Sequence, residues 1–452
     1  MSSTSLATAV ERLDSRIACD PSIDAELFER LLREQRELGL LHDERSTCPF
    51  LRPLILSRTQ YDGVARAAET IAAAFERMAD AALSDDALMA ELELTEREKV
   101  MARVDPGYER LCVTSRLDAY LNGEDFKFLE YNAESPAGVA DQMQLEKVLF
   151  DLPHMREFME RHPAHWRPQP HRQLLRALIE TYRQWGGTRE TPQIAIVDWE
   201  GVATASEFDI LKDYFEAEGY STRIADPRAL GYDGEALMAG DFRIDILYKR
   251  VVIHEFLKEF DETHPLARAY AEHKVCMANS FRTKLAHKKA GFAILSDPAY
   301  GYLFTPEQSA CIARHIPWTR RVREGRISYK NEERELVDVL RREREHLILK
   351  PNDDYGGHGI VIGWETDATR WEAAVRDALK TPFVVQERVE VLKLRVPMLT
   401  ARGLEREEMF ADFNPFLFLN RVEGGLVRLS SSSLCNVSSG GGETALLVLE
   451  NF

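Results

Sequence analysis

Residues 109–132, "ERLCVTSRLDAYLNGEDFKFLEYN", read as two strands meeting at an Asn-Gly turn, and this hairpin constrains the chain more than any other segment. Asn-Gly tolerates the left-handed backbone that a tight hairpin turn needs. Successive side chains of a strand point to opposite faces, so Arg116 and Asp118 share one side of the first strand. Glu130 and Asn132 do the same on the second. The hairpin therefore gathers two carboxylates, an amide oxygen and a guanidinium on one face. Oxygen donors of this kind suit Mg²⁺, which takes a few carboxylates plus substrate phosphates. The plainer alternative is that Arg116 pairs with Glu130 across a solvated sheet face.

At 452 residues the chain is too long for one comfortable core and implies roughly two to four domains. Apolar residues recur every three or four positions in "AELFERLLREQRELGLL" and "YDGVARAAETIAAAFERMADAAL", so residues 1–105 are expected to be a helical region without evident chemistry. Residues 106–150 carry the hairpin and a following helix. "RHPAHWRPQPHR" reads as a linker. Residues 170–270 have an α/β rhythm, with strands "QIAIVDW", "STRIADP" and "FRIDILYKR" around the helix "ASEFDILKDYFEAEGY". They lack GxGxxG, so no dinucleotide site is assigned. Residues 271–452 hold helices at "TKLAHKKAGFAIL", "NEERELVDVLRREREH" and "TRWEAAVRDALK", several strands, and a β-rich end.

Within that last region, "LILKPNDDYGGHGIVIG" places Gly356, Gly357 and Gly359 between two apolar strands, where backbone N–H groups can turn toward a phosphate. Lys350 closes the first strand, placed to reach a phosphate oxygen. It is not a Walker A loop, and a plain hairpin with an exposed lysine remains the alternative. "FVVQERVE" offers Gln386 and Glu387 as a hinge that pairs with an adenine edge, or simply a buried strand ending in a polar turn. Lys289, with Lys284 and Lys288 beside it, is a second candidate cation, although helix lysines are ordinarily solvated. "GGLVRLSSSSLCNVSSGGG" brings Arg428, Asn436 and Gly440 to Gly442 into a segment able to close over phosphates.

A net charge of −17 with no basic stripe argues against a nucleic-acid or anionic-membrane partner. The cysteines at 19, 48, 112, 276, 311 and 435 show no CxxC pair, as expected of reduced thiols. Charged residues interrupt the N-terminus, and no apolar run approaches the ~20 residues of a membrane span. A cytoplasmic, soluble protein is expected.

Taken together these motifs resemble the ATP-grasp ligases. "SRLDAYLNGEDFKFLEYNAES", with Arg116-x-Asp118 followed by Glu130-Tyr-Asn132-Ala, is similar to the signature of the circularly permuted branch typified by glutathionylspermidine synthetase. There the metal ligands precede the lysines and the hinge, which is the order in this chain. The resemblance spans roughly residues 110–452. It implies an α+β and α/β chain: a permuted ATP-grasp fold with a Rossmann-like pre-ATP-grasp domain behind a helical N-terminal region. It further implies ATP held by Lys289, Lys350, Gly356, Gly357, Gly359, Gln386, Glu387, Val389 and Arg428, with Mg²⁺ on Asp118, Glu130 and Asn132. Arg116 would be catalytic, meeting charge on the transferring group. The implied reaction is ligation of a small carboxylate to an amine through an acyl phosphate. An ATP-dependent kinase and an ATP-binding protein without turnover are the alternatives.

Two departures from the family bear on the substrate. The first 105 residues lack the Cys/His arrangement of its frequent amidase fusion, and "AESPAG" follows Asn132 where the family favours "AD" and small hydroxylated residues. A glutathione–polyamine substrate is therefore not carried over. Asp412-x-Asn414 is a rival metal pair, set aside because it lacks a hairpin acid beside it.

Overall fold

The N-terminal amphipathic runs form the helices Leu6–Ala18, Ala25–Glu37, Arg58–Ser84, Asp86–Glu91 and Glu96–Arg103 in the computed structural model, which describes residues 5–42, 45–122, 125–354, 356–391, 393–432 and 441–452. Arg58–Ser84 starts at a capping box in which Ser57 and Gln60 satisfy each other's backbone N–H. Its buried face includes Ala68, Ile71, Ala72, Phe75 and Met78. Phe75 packs on Tyr131 of the acidic hairpin and on Phe292, with ring centroids 4.8 and 5.2 Å apart. Between the helices lies the strand Leu54–Ser57, which runs parallel to the C-terminal strand Leu446–Leu449. The latter also pairs with His165–Trp166, inside the stretch read as a linker.

The α/β region forms a four-stranded parallel sheet in the order Cys276–Ala278, Ile246–Lys249, Ile194–Val197, Thr222–Ala225. Every residue of Ile194–Val197 is buried, as a strand covered on both faces requires. "FRIDILYKR" is two strands, not one. Phe242–Ile244 joins a small antiparallel sheet, and the chain breaks at Asp245, whose buried carboxylate accepts the Gln193 N–H at 2.9 Å. "NEERELVDVLRREREH" also divides. Glu332–Glu335 pairs with Arg326–Tyr329, and the helix begins only at Leu336. "TKLAHKKAGFAIL" becomes two short helices, Lys284–His287 and Ala290–Ser296. At the break the Lys289 N–H donates to the Asn352 carbonyl and the Ala290 N–H to the Asn352 side chain.

Two further sheets carry the candidate residues. In the first, Thr114–Asn122 pairs with Asp125–Asn132 on one side and with Gly403–Phe418, almost three hundred positions later, on the other. Gly403–Phe418 in turn pairs with Lys393–Thr400 and Arg421–Ser430, and the latter with Gly442–Thr444. In the second, the antiparallel order is Thr319–Arg321, Phe383–Glu387, Leu347–Pro351, Val361–Ile362.

Asn279, just past the end of a parallel strand and fully buried, joins the parallel sheet to the hairpin. Its Oδ1 accepts the N–H groups of Val113 and Thr114 at 2.6 and 3.1 Å. Its Nδ2 donates to the carbonyls of Thr114, Ala133 and Glu134 at 2.6, 2.9 and 3.0 Å. The five described cysteines are free. No helix among the described residues is long and apolar enough to cross a membrane. Cys435, Asn436 and Gly440, and Gly123 of the expected Asn-Gly turn, lie outside the described residues. Asn279→Ala strands several buried backbone groups, each worth about 1–3 kcal/mol. It should lower the thermal midpoint by many degrees, and a calorimetric scan indistinguishable from the native one would contradict this.

Candidate functional site

The hairpin register puts Arg116 opposite Asn132 and Asp118 opposite Glu130, so the four side chains share one face. Arg116 pairs with Asp118 rather than with Glu130. Its Nε lies 2.7 Å from Oδ1 and its Nη2 3.2 Å from Oδ2. Asn132 Nδ2 donates to Asp118 Oδ1 at 3.0 Å. Arg428 adds a second guanidinium, 2.8 Å from Asp118 Oδ2 and 2.6 Å from Asp412 Oδ2. Burial would raise the Asp118 carboxyl, but Arg116 and Arg428 outweigh it and hold the group below the usual carboxylate range.

Asp412 and Asn414 therefore do not form a separate site. They lie on the strand beside the hairpin, and Arg428 joins Asp412 to Asp118. Asn414 Nδ2 donates to Asp412 at 2.8 Å, while its Oδ1 accepts the Ala119 N–H at 3.0 Å, at the register shift between Asp118 and Ala119. The sequence showed this pair, but only the strand pairing brings it to the early one.

From the second sheet comes Lys350, 6% exposed, with Nζ 2.7 Å from Gln386 Oε1 and 3.2 Å from the Leu129 carbonyl. Gln386 Nε2 donates to Thr319 Oγ1 at 3.1 Å. Lys289 Nζ lies 3.2 Å from Glu130 Oε1 and donates to the Asp354 carbonyl at 2.5 Å. Burial works to raise the Glu130 carboxyl, yet Lys289 and Lys350 bring it below its ordinary value. The glycine loop is left-handed at Gly356, Gly357 and Gly359, with φ of 66°, 80° and 67°. A Cβ on Gly359 would fall 2.7 Å from Pro351.

One cavity of about 940 Å³ takes its lining from both sheets. Arg116, Asp118, Glu130, Asn132, Asp412 and Arg428 line it from the first. Lys350, Gly356, Gly357, Gln386, Glu387 and Val389 line it from the second and its loops; Gly359 does not line it, and Lys289 meets it only through its contact with Glu130. For a divalent metal the donor set fits in kind. Glu130 keeps its second oxygen and Asn132 its Oδ1 clear of protein partners among the described residues, whereas both Asp118 oxygens carry guanidinium donors.

Sequence reasoning missed a buried network behind the glycine loop. Lys284 and Lys288 are buried, not solvated. Lys284 Nζ lies 2.7 Å from Glu134 Oε1 and 2.6 Å from Asp353 Oδ1. Lys288 Nζ lies 2.6 Å from Asp353 Oδ2 and 3.0 Å from Glu98, on a helix read as having no chemistry. The one available signal was Glu134, which continues the alternation of Glu130 and Asn132.

No family model matches the chain. An uncharacterised protein of Mycobacterium leprae (strain TN) is 24% identical over 347 residues, 72% of this chain. This chain spans 57% of that relative's length. A glutathione synthetase-like effector from Globodera pallida superposes with a TM-score of 0.61 at 12% identity, over 94% of this chain and 97% of that one. The chain thus shares its overall fold with that glutathione synthetase-like effector. A candidate γ-glutamylcysteine synthetase from Methylobacillus flagellatus KT aligns over 71% of this chain and 76% of its own, with a TM-score of 0.41 at 10% identity.

Burial, with the neighbouring charge of Lys289 against the opposing pull of Glu130, pushes the Lys350 ammonium down from 10.5 to about 8. The unfolded chain thus binds more protons between those values, and stability should rise with pH across that window. Lys350→Met should remove that rise in denaturant titrations at successive pH values. An unchanged slope would contradict the depressed lysine.

Proposed function

We propose that the protein is an ATP-dependent carboxylate–amine ligase of the circularly permuted ATP-grasp type, forming an amide through an acyl phosphate. The observation that carries this reading is the meeting of the acid–arginine face with Lys350 and the Gln386–Val389 segment around one cavity. The permutation is supported by chain order. The hairpin precedes the lysine strand and hinge, yet it pairs with Gly403–Phe418, which follows them.

In this reading Gln386, Glu387 and Val389 face the adenine. Lys350 and Lys289 hold phosphate oxygens, and the Gly356–Gly359 loop covers them with backbone N–H groups. Glu130, Asn132 and Asp118 would hold Mg²⁺, which supplies charge neutralisation on the phosphates. Arg116 and Arg428 lie where the transferring phosphoryl group gathers charge. The γ-phosphoryl group passes to a substrate carboxylate, and an amine then displaces phosphate from the acyl carbon. The substrates are a small carboxylate and a small amine.

Incubation with Mg-ATP and pooled carboxylates and amines should release ADP and phosphate only when both pools are present, and Glu130→Ala should abolish the release. Phosphate transferred to one pool without release would make the protein a kinase. Arg116→Ala leaves Asp118 paired with Arg428, so the protein should fold and bind ATP. Its turnover should fall on the order of a hundredfold or more, the usual cost of losing one donor to developing charge. Native turnover in that variant would remove Arg116 from the chemistry.

A further inference from the structure

Beyond Asn132 the cavity continues along the exit of the hairpin. It is lined there by Glu134 and Pro136, by Asp198 and Arg250 just past the carboxyl ends of two neighbouring parallel strands, and by His287. Ligands of open α/β sheets bind beyond those strand ends. His287 is 8% exposed, its Nδ1 is buried without a hydrogen-bond partner, and its Nε2 lies 3.9 Å from Glu134 Oε1. An imidazole on a cavity wall with no hydrogen bond to either nitrogen among the described residues calls for an explanation.

A metal does not provide one. Glu134, His287 and Asp353 bring ligand atoms within 4.8 Å of one another, but the Lys284 ammonium already lies against both carboxylates. Glu134 is held ionised. Burial opposes this, but Lys284 and His287 draw its carboxyl down to about 2, and it also accepts the Ile253 N–H at 2.7 Å.

Resting on the ligase reading, we infer that His287 is the base that deprotonates the incoming amine. The groups around it are Lys284, Lys288 and Lys289 on its own segment, Glu134 on the hairpin exit and Asp353 at the root of the glycine loop. Glu98 lies behind them, 3.7 Å from Lys284. Burial is the largest influence and lowers the imidazole's proton affinity; Glu134 and Asp353 raise it, Lys284 and Lys289 lower it, and the net shift is downward. The downward shift favours the neutral ring, the form that can accept a proton, and Nε2 beside Glu134 is the acceptor.

The amine arrives as an ammonium ion. One N–H bond breaks, its proton goes to Nε2, and Glu134 faces the imidazolium so formed. The freed lone pair makes the bond to the acyl carbon as the carbon–oxygen bond to phosphate breaks. Phosphate leaves with that electron pair and takes up the second amine proton.

The test uses the full chain with Mg-ATP and a mixture of the standard amino acids with γ-glutamylcysteine, which supplies carboxylates and amines. Hydroxylamine, uncharged at neutral pH, is added in a parallel reaction. His287→Asn should lower amine-dependent phosphate release about a hundredfold or more, the range of a lost general base. It should also lose the acid limb of the pH profile, while hydroxamate formation and Mg-ATP affinity stay native. A parallel fall of both products, or of neither, would overturn the inference and leave the ligase standing. Loss of Mg-ATP binding in both His287→Asn and His287→Gln would overturn it by making the residue structural. A native protein that yields neither hydroxamate nor phosphate would overturn the ligase reading, and this inference with it.

Discussion

A single buried amide holds the candidate site in register. Asn279, just past the end of a parallel strand, lies within hydrogen-bond distance of five backbone groups at the two roots of the acidic hairpin. A carboxamide presents two N–H donors and an oxygen acceptor together, so one short side chain bridges both roots. The same hairpin exit is gripped further along, where Arg116 donates to the Ala137 carbonyl at 2.8 Å and Arg250 to that of Pro136. The position of Asp118 and Glu130 relative to Asp198 and Arg250 is therefore set by side-chain hydrogen bonds to the backbone as well as by packing.

Charge pairing around the cavity follows from the cost of burial. An unpaired buried carboxylate is expensive, and three acids at or behind the site each lie against cations. Asp118 takes Arg116 and Arg428, Glu130 takes Lys289, and Asp353 takes Lys284 and Lys288. Of the cations around the site, Arg116, Arg428 and Lys350 line the cavity, where the proposed reaction would place phosphates. A polyanionic substrate would meet an array already assembled and desolvated, in which the acids stand in for its charge. Such preorganisation is what makes fixed charges effective in phosphoryl transfer.

The hairpin strands, their shared face and the glycine loop were legible in the sequence because each rests on a local rule: strand alternation, and glycine where φ is positive. Lys350 and Gln386 were legible for the same reason. What the sequence withheld was non-local. Asp412 looked like a rival to Asp118 because nothing along the chain says that Gly403–Phe418 pairs with Thr114–Asn122. Lys284 and Lys288 looked solvated because their partners, Glu98, Glu134 and Asp353, lie on three separate segments. Likewise "FRIDILYKR" is strand-like on both sides of Asp245, and it is the buried Asp245 carboxylate and the two different sheets that divide it.

The central claim is that the cavity joins a carboxylate to an amine through a phosphorylated carboxyl group. Its most direct test follows oxygen. With carboxylates labelled by ¹⁸O and unlabelled Mg-ATP, the account predicts one labelled oxygen in the released phosphate for each amide formed, because the acyl carbon–oxygen bond breaks on the carboxylate's own oxygen. Phosphate released without label while amide accumulates would contradict it.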